Sequence, residues 1–153
     1  MELDPMESNV PGWPTTSFMY QQSGQQITDQ GQWVLVVDDD PANRSLERIV
    51  LQVDNFAVRE AANGFEALEL IRGAGKQCIL VLTDYEMPGM QGDELAARIR
   101  QIDPALPIML ITGREAITQE HIRAWGIKAL LHKPYEIDTF LQTVRSLIDG
   151  GKG

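Results

Sequence analysis

The chain has 153 residues, 43% hydrophobic and 23% charged, which is ordinary globular usage and argues against global disorder or a collagen-like repeat. A single domain of that length buries about two thirds of its unfolded surface, so it needs neither disulfides nor a structural metal. Thirteen Lys and Arg against 22 Asp and Glu leave a net charge of −9, which disfavours nonspecific binding to nucleic acid or to an anionic membrane, since both reward clustered cations, and is compatible with a site for a metal cation.

A lone cysteine, Cys78, excludes an intramolecular disulfide framework and a Cys-rich zinc site, and it points to a reduced, cytoplasmic setting. Residues 1–32 hold no Lys or Arg and no continuous apolar stretch, so they lack the charged and apolar regions of a signal peptide. No run approaches the ~20 apolar residues needed to span a bilayer. The sequon Asn43-Arg44-Ser45 is idle in a protein that is not secreted. Pro5, Pro11, Gly12, Pro14 and Gly24, with the Gln/Ser/Thr-rich stretch from Gln21 to Gln32, carry no sustained period. Residues 1–32 therefore read as a flexible leader or linker, in which Trp13, Phe18, Met19 and Tyr20 are the side chains that would dock on a partner or on the domain itself.

Regular patterning begins at Trp33. A strand over Val34–Val37 runs into Asp38-Asp39-Asp40, and a helix follows over Ala42–Val53, with Asp40 as its N-cap and Pro41 at its first position. A second strand at Ala57–Arg59 precedes a helix over Gly64–Arg72. The next segment, Gly73-Ala-Gly75-Lys76, superficially resembles a phosphate-binding loop. Gln77 follows the lysine and a strand comes next, so it reads as a helix C-terminal turn. A third strand at Ile79–Leu82 leads to Asp84, the turn Met87-Pro88-Gly89 and a helix over Gly92–Ile102. A fourth strand, Ile108–Ile111, ends at Thr112 and precedes a helix over Ala116–Trp125, in which His121 is a solvated residue. The fifth strand, Ile127–Leu131, leads through His132 to Lys133, and a last helix over Ile137–Ile148 places Ile137, Phe140, Leu141, Val144, Leu147 and Ile148 on one stripe. The strands are β-branched and nearly continuously apolar, as strands are when helices cover both faces of a parallel sheet. Five strands alternating with five helices predict an α/β doubly wound fold with right-handed crossovers. The domain is expected over 33–150, with a tail at 151–153.

In such a sheet ligands sit beyond the carboxyl ends of the strands, where strand order reverses. The residues at those ends are Asp38, Asp39, Asp84, Thr112 and Lys133. Taken singly each has a structural reading: Asp84 a turn residue, Thr112 a helix cap, Lys133 a solvated loop. Taken together they suit a chemistry. Packed carboxylates repel unless a cation neutralises them, and hard oxygen ligands suit Mg²⁺, with Mn²⁺ a substitute. A lysine opposite them pairs with phosphate oxygens. Phosphoryl transfer needs little beyond a nucleophile and positive charge on the transferred oxygens, and a carboxylate is a competent covalent nucleophile.

Four motifs in this order carry a resemblance: Val-Leu-Val-Val-Asp38-Asp39-Asp40-Pro, Leu-Thr-Asp84-Tyr-Glu-Met-Pro-Gly-Met, Met-Leu-Ile-Thr112-Gly and Leu-His-Lys133-Pro134. From Trp33 to about Asp149 the chain resembles the response-regulator receiver domains of two-component signalling, and Ala61-Ala-Asn-Gly-Phe-Glu-Ala-Leu68 is similar to the family's second strand-to-helix turn. The resemblance implies a flavodoxin-like strand order 2-1-3-4-5. It implies that Asp84 accepts a phosphoryl group from a phosphohistidine on a histidine kinase or a histidine phosphotransfer protein. Asp39, Asp84 and the Glu86 carbonyl would ligate Mg²⁺, with Asp38 acting largely through a metal-bound water. Thr112 and Lys133 would bind phosphoryl oxygens, and the Lys133–Pro134 bond would be cis, aiming the ammonium back at the rim. Glu86 and Arg114 stand where the family tunes the lifetime of its acyl phosphate, or form only a surface salt bridge. Leu130 stands where the family often has Tyr or Phe, which weakens the case for an aromatic switch.

The competing reading is a metal-dependent phosphohydrolase with Asp84 as covalent nucleophile. That activity needs a second acid placed to activate water, and Tyr85-Glu86 after Asp84 do not match the Asp-x-Asp of aspartate-based phosphatases. The expectation is thus a signalling receiver that catalyses only its own phosphorylation and dephosphorylation. It is either a stand-alone regulator or the C-terminal receiver of a hybrid kinase, the second being favoured by the leader. Output, and a homodimer contact, are expected through the fourth helix, fifth strand and last helix, where Trp125, Leu130 and Tyr135 offer apolar area unless Trp125 serves the core.

Overall fold

The computed structural model describes residues 31–152, with side chains to 150. The expected leader, with Trp13, Phe18, Met19 and Tyr20, lies outside the described residues except for its last two positions. Strands and helices alternate along the chain: β1 (Trp33–Val37), α1 (Pro41–Val53), β2 (Val58–Ala61), α2 (Gly64–Ala74), β3 (Cys78–Asp84), α3 (Gly92–Ile102), β4 (Ile108–Thr112), α4 (Gln119–Trp125), β5 (Ala129–His132) and α5 (Ile137–Lys152). The five strands pair in parallel in the order β2-β1-β3-β4-β5, the doubly wound arrangement the sequence predicts.

Alternation within the apolar strands divides the core in two. Leu35, Val37, Val81, Ile108 and Leu110 face one side, where Leu68 and Ile71 of α2, Leu95 and Ile99 of α3 and Ile122 of α4 cover them. Val34, Val36, Leu80, Leu82, Met109 and Ile111 face the other, under Leu51 of α1 and Phe140, Val144 and Ile148 of α5. Among the described residues no helix is long and apolar enough to cross a membrane.

Caps set the helix ends. Asp40 accepts the Ala42 N–H at 2.9 Å, with Pro41 opening α1, and Asn63 accepts the Glu66 N–H at 2.9 Å at the head of α2. Gly75, at a φ of 59°, closes α2, so the Gly73–Lys76 segment is the helix terminus the spacing indicates. The fourth helix departs from expectation. It starts at Gln119, not Ala116, because the Ile117 N–H is drawn back to the Arg114 carbonyl at 3.2 Å and the Thr118 N–H donates to His121 Nδ1 at 3.1 Å. His121 is therefore part of a helix cap and not merely solvated. The fifth strand begins at Ala129 because the Ile127 N–H is spent on closing α4, donating to the Ile122 carbonyl at 2.9 Å beyond the left-handed Gly126. At the other end, α5 continues past Ile148 to Lys152.

Register carries the fold into the site. Where the strand order reverses, Val37 stands beside Thr83, and Asp84 stands beside Ile111. The residues that follow β1 therefore meet the end of β3 with no helix between them. A glycine holds this corner. The Gly92 N–H donates to the Tyr85 carbonyl at 2.8 Å, and a Cβ there would stand 2.7 Å from the Asp84 carbonyl oxygen and 2.9 Å from Leu110 Cδ1. Gly92→Ala must push the end of β3 away from α3. It should cost about 1–3 kcal/mol of stability by urea unfolding, and in amide spectra the largest shifts should fall at Asp84 and Tyr85.

Candidate functional site

Three carboxyls meet at the carboxyl end of the sheet. Asp38 is only 1% exposed. Its Oδ1 accepts the Asp40 N–H at 2.9 Å, and its backbone carbonyl accepts from Arg44 Nη1 at 2.7 Å, which ties the end of β1 to α1. Asp84 Oδ1 accepts the Tyr85 N–H at 2.9 Å, while Asp39 is exposed at the mouth. One carboxylate oxygen from each of Asp38, Asp39 and Asp84 lies within 4.8 Å of the others. Lys133 answers this charge: its Nζ stands 3.8 Å from Asp84 Oδ1 and 4.0 Å from Asp38 Oδ2. Burial pushes the carboxyls of both Asp38 and Asp84 above the usual carboxylate range, and the Lys133 ammonium pulls both back.

The backbone places the remaining groups. The Lys133–Pro134 peptide is cis, as the resemblance implies, and the Lys133 N–H donates to the Thr112 carbonyl at 2.8 Å. Thr112 is buried at the end of β4, and its Oγ1 accepts the Arg114 N–H at 3.0 Å. The hydroxyl proton is not used in that bond and remains available to donate. Asp38, Asp39, Asp84 and Lys133 thus come together, and the Thr112 backbone carbonyl joins them through the Lys133 N–H. The side chain of Glu86 turns to Arg114, whose Nε donates to Oε2 at 2.8 Å and whose Nη2 reaches the same oxygen.

Two features escaped the sequence reading. One is an aromatic stack. The Arg114 guanidinium lies 5.7 Å from the Tyr85 ring centroid, Tyr85 stacks on Trp125 at 5.7 Å, and His121 flanks Trp125 at 5.4 Å. Trp125 and Leu130 are half-buried and pack against the α2–α3–α4 core, and Tyr135 is half-buried and stacks on Phe140. The other is Glu47, 4% exposed on the sheet-facing side of α1, with the buried Leu51 one turn on. Burial first, and the Asp38 charge next, push its carboxyl up to about 8, against the pull of Lys133. Tyr135 is pushed up to about 12 by burial and by the charges of Glu47 and Asp38. The available signal was spacing: Arg44, Glu47 and Leu51 recur at i, i+3 and i+7 on the stripe that faces the sheet.

Hard carboxylate oxygens beside a lysine suit a divalent cation and a phosphoryl group together. Residues 34–145 match the family described as response regulator receiver domain. The chain belongs to that family. It is 34% identical over 119 residues to the response regulator MprA of Mycobacterium sp. (strain KMS), covering 75% of this chain and 50% of that protein. It is 36% identical over 114 residues to the sensor histidine kinase RcsC of Salmonella typhimurium, covering 72% of this chain and 12% of that one. This receiver chain therefore spans about half the length of MprA and a small part of RcsC. Among solved structures it is similar to the response regulator TrrA of Thermotoga maritima in complex with Mg²⁺-BeF, at 31% identity and a TM-score of 0.68, covering 76% of this chain and 98% of that one. It is also similar to the CheY-like receiver domain protein of Methanospirillum hungatei, at 25% identity and a TM-score of 0.72, covering 79% and 96%. The protein is a receiver domain of two-component signalling, with the flavodoxin-like strand order of that fold.

The buried carboxyls give the receiver a pH-dependent stability. A carboxyl that holds its proton more tightly folded than unfolded contributes fully below its unfolded value, and loses that contribution as pH rises through its folded value. For Glu47 the window runs from 4.5 to about 8. Glu47→Gln should therefore differ little from the wild type in urea unfolding at pH 4.5. At pH 8.5 it should be the more stable protein by on the order of a few kcal/mol.

Proposed function

We propose that Asp84 is the phosphoacceptor of this receiver, taking a phosphoryl group from a phosphohistidine on a histidine kinase or histidine phosphotransfer protein. The observation that carries the reading is Lys133 set between Asp38 and Asp84, beside a third carboxylate, on a rim that ends in the Thr112 hydroxyl. Asp39, Asp84 and the Glu86 carbonyl would hold Mg²⁺, or Mn²⁺ in its place, with Asp38 reaching it through water; the cation supplies positive charge opposite the transferred oxygens. Asp84 Oδ1 is held by the Tyr85 N–H, and Oδ2 receives no hydrogen bond from a described residue. Oδ2 attacks phosphorus in line, the P–N bond to the donor imidazole breaks, and the bond to the carboxylate forms as the ring nitrogen leaves with the electron pair. Lys133 shifts from the carboxylates to a phosphoryl oxygen, and the Thr112 hydroxyl donates to another.

The domain is read as a signalling receiver, acting in the cytoplasm, and not as an enzyme with an external substrate. The phosphohydrolase alternative needs a second acid free to activate water. Among the described residues the nearest candidate in sequence, Glu86, has its carboxylate committed to Arg114. That same pair, two residues past Asp84 and Thr112, would shield the acyl phosphate from water.

Output is read as leaving along the Thr112–Arg114 hydrogen bond. Drawing Thr112 toward the phosphoryl group moves the Arg114 backbone, and Arg114 is coupled through Glu86 and Tyr85 to Trp125 on α4. With Leu130 in place of an aromatic, this stack is the route to the α4–β5–α5 face, where a homodimer or a downstream partner would read the state. The exposed Leu46 and Ile49 of α1 and Ile137 of α5 lie on the two helices that start at the rim, and they offer the phosphodonor protein an apolar footing.

Intact mass after incubation with acetyl phosphate and Mg²⁺ tests the assignment. One phosphoryl adduct should form in the wild type and none in Asp84→Asn, and Lys133→Ala should slow its formation at least tenfold, in line with the loss of one charged group from a phosphoryl site (roughly 10²–10³ for a donor aimed at transition-state charge). An adduct that persists in Asp84→Asn would refute the acceptor; steady phosphate release without an adduct would favour the phosphohydrolase. Arg114→Ala should shorten the adduct lifetime severalfold in the same assay, and an unchanged decay rate would reduce the Glu86–Arg114 pair to a surface salt bridge.

A further inference from the structure

Glu47 takes no part in the transfer chemistry, yet it is the most deeply placed acid behind the rim after Asp38. The arginines nearest to it in α1 are occupied: Arg44 and Arg48 both pair with Glu60 of β2, at 3.0 and 2.7 Å, and Arg44 also reaches the Asp38 carbonyl. The groups that act on Glu47 from other elements are Asp38 beyond β1, Asp84 at the end of β3, and Lys133 and Tyr135 beyond β5. No described residue hydrogen bonds or ion-pairs with its carboxyl. Three rim carboxylates against one ammonium leave the neighbourhood negative, and a buried carboxyl in a negative field keeps its proton.

We infer that Glu47 is a proton store linked to the cation site, releasing its carboxyl proton to solvent when a divalent cation enters among Asp38, Asp39 and Asp84 and recovering it when the cation leaves. The inference rests on the metal-binding reading of the rim and adds to it a regulating group from α1. A divalent cation cancels the excess negative charge that holds the carboxyl neutral. A positive charge entering that cluster favours the ionised form of a carboxyl coupled to it. Burial holds the Glu47 carboxyl up at about 8, so a fall on cation entry moves its titration toward neutral pH. The linkage is reciprocal: if the cation expels the proton, the proton weakens the cation. Cation occupancy, and with it readiness for phosphoryl transfer, would then rise with pH across the neutral range. A leucine at position 47, having no proton to release, would give no such response.

Calorimetric titration of the full chain with MgCl₂ at pH 7.5, in two buffers of different ionisation enthalpy, counts the protons released. The wild type should release about half a proton per cation more than Glu47→Gln. Its affinity should also climb roughly tenfold more steeply than the variant's between pH 6.5 and 8.5, tenfold being the expected return for each pKa unit by which the cation lowers Glu47. Release from groups not coupled to Glu47 is common to both proteins and cancels in the difference. Equal proton release and equal pH slopes would overturn the inference while leaving the cation site intact. Absence of Mg²⁺ binding at every pH would remove the cation site and the inference together. Carboxyl ¹³C spectra of the wild type give a second reading that needs no variant. A Glu47 inflection near pH 8 that moves down with MgCl₂ supports the linkage, and one that stays in place overturns it.

Discussion

A buried carboxyl, Asp38, and a half-buried one, Asp84, at the ends of adjacent strands repel each other, and the ammonium of Lys133 offsets that repulsion. The parallel register of β1 against β3 leaves Asp38 and Asp84 no room to separate, because their strands are neighbours at the point where the sheet reverses its order. Lys133 reaches both from the far side of β4, held there by its own N–H on the Thr112 carbonyl. An arrangement of this kind is poised: the lysine that compensates the carboxylates at rest is the group that a phosphoryl oxygen would compete for.

The same electrostatics reach into α1. A helix laid on the α5 side of the sheet would bury the most by turning its aliphatic side chains inward, yet Leu46, Ile49 and Val53 point outward, Val53 being 76% exposed, while Glu47 is buried. Arg44 and Arg48 fix this rotation by pairing with Glu60 on the edge strand, and Arg44 adds a hydrogen bond to the Asp38 carbonyl. The helix is therefore oriented by polar contacts near the rim together with the burial of Leu51 and Val50 against the sheet. That leaves apolar side chains on the outer face of α1 and an acid inside.

On the opposite edge the rim connects to the surface through groups that are individually weak. Thr112 Oγ1 holds the Arg114 N–H, Arg114 holds Glu86 and lies over Tyr85, and Tyr85 stacks on Trp125. Exposed ion pairs contribute roughly 0–1 kcal/mol, and stacked aromatic pairs about 0.5–1.5 kcal/mol beyond their burial. A chain of such contacts can be rearranged by the few kcal/mol that a phosphoryl group brings. The core beneath it cannot, since Leu110, Ile111 and Leu95 are fully buried and closely packed.

The element order, the parallel sheet and the rim residues were legible in the sequence because each is a local property. Apolar runs of strand length alternating with 3.6-period stripes specify a doubly wound sheet, and that fold puts strand ends on one rim, so Asp38, Asp39, Asp84, Thr112 and Lys133 could be named from their positions after each run. Element ends were less legible. The start of α4 turns on a hydrogen bond from the Thr118 backbone to His121, and the start of β5 on the capping of α4 by the Ile127 N–H; both are competitions for a single donor that periodicity does not record. Only the tertiary structure decided which face of α1 turns inward, that Glu47 shares the electrostatics of the rim, and that Tyr85 and Trp125 stack. The physical reason is common to all three. Burial, charge coupling and ring stacking depend on distances between residues far apart in the chain, and those distances exist only once the sheet has brought β1, β3 and the β5–α5 turn together.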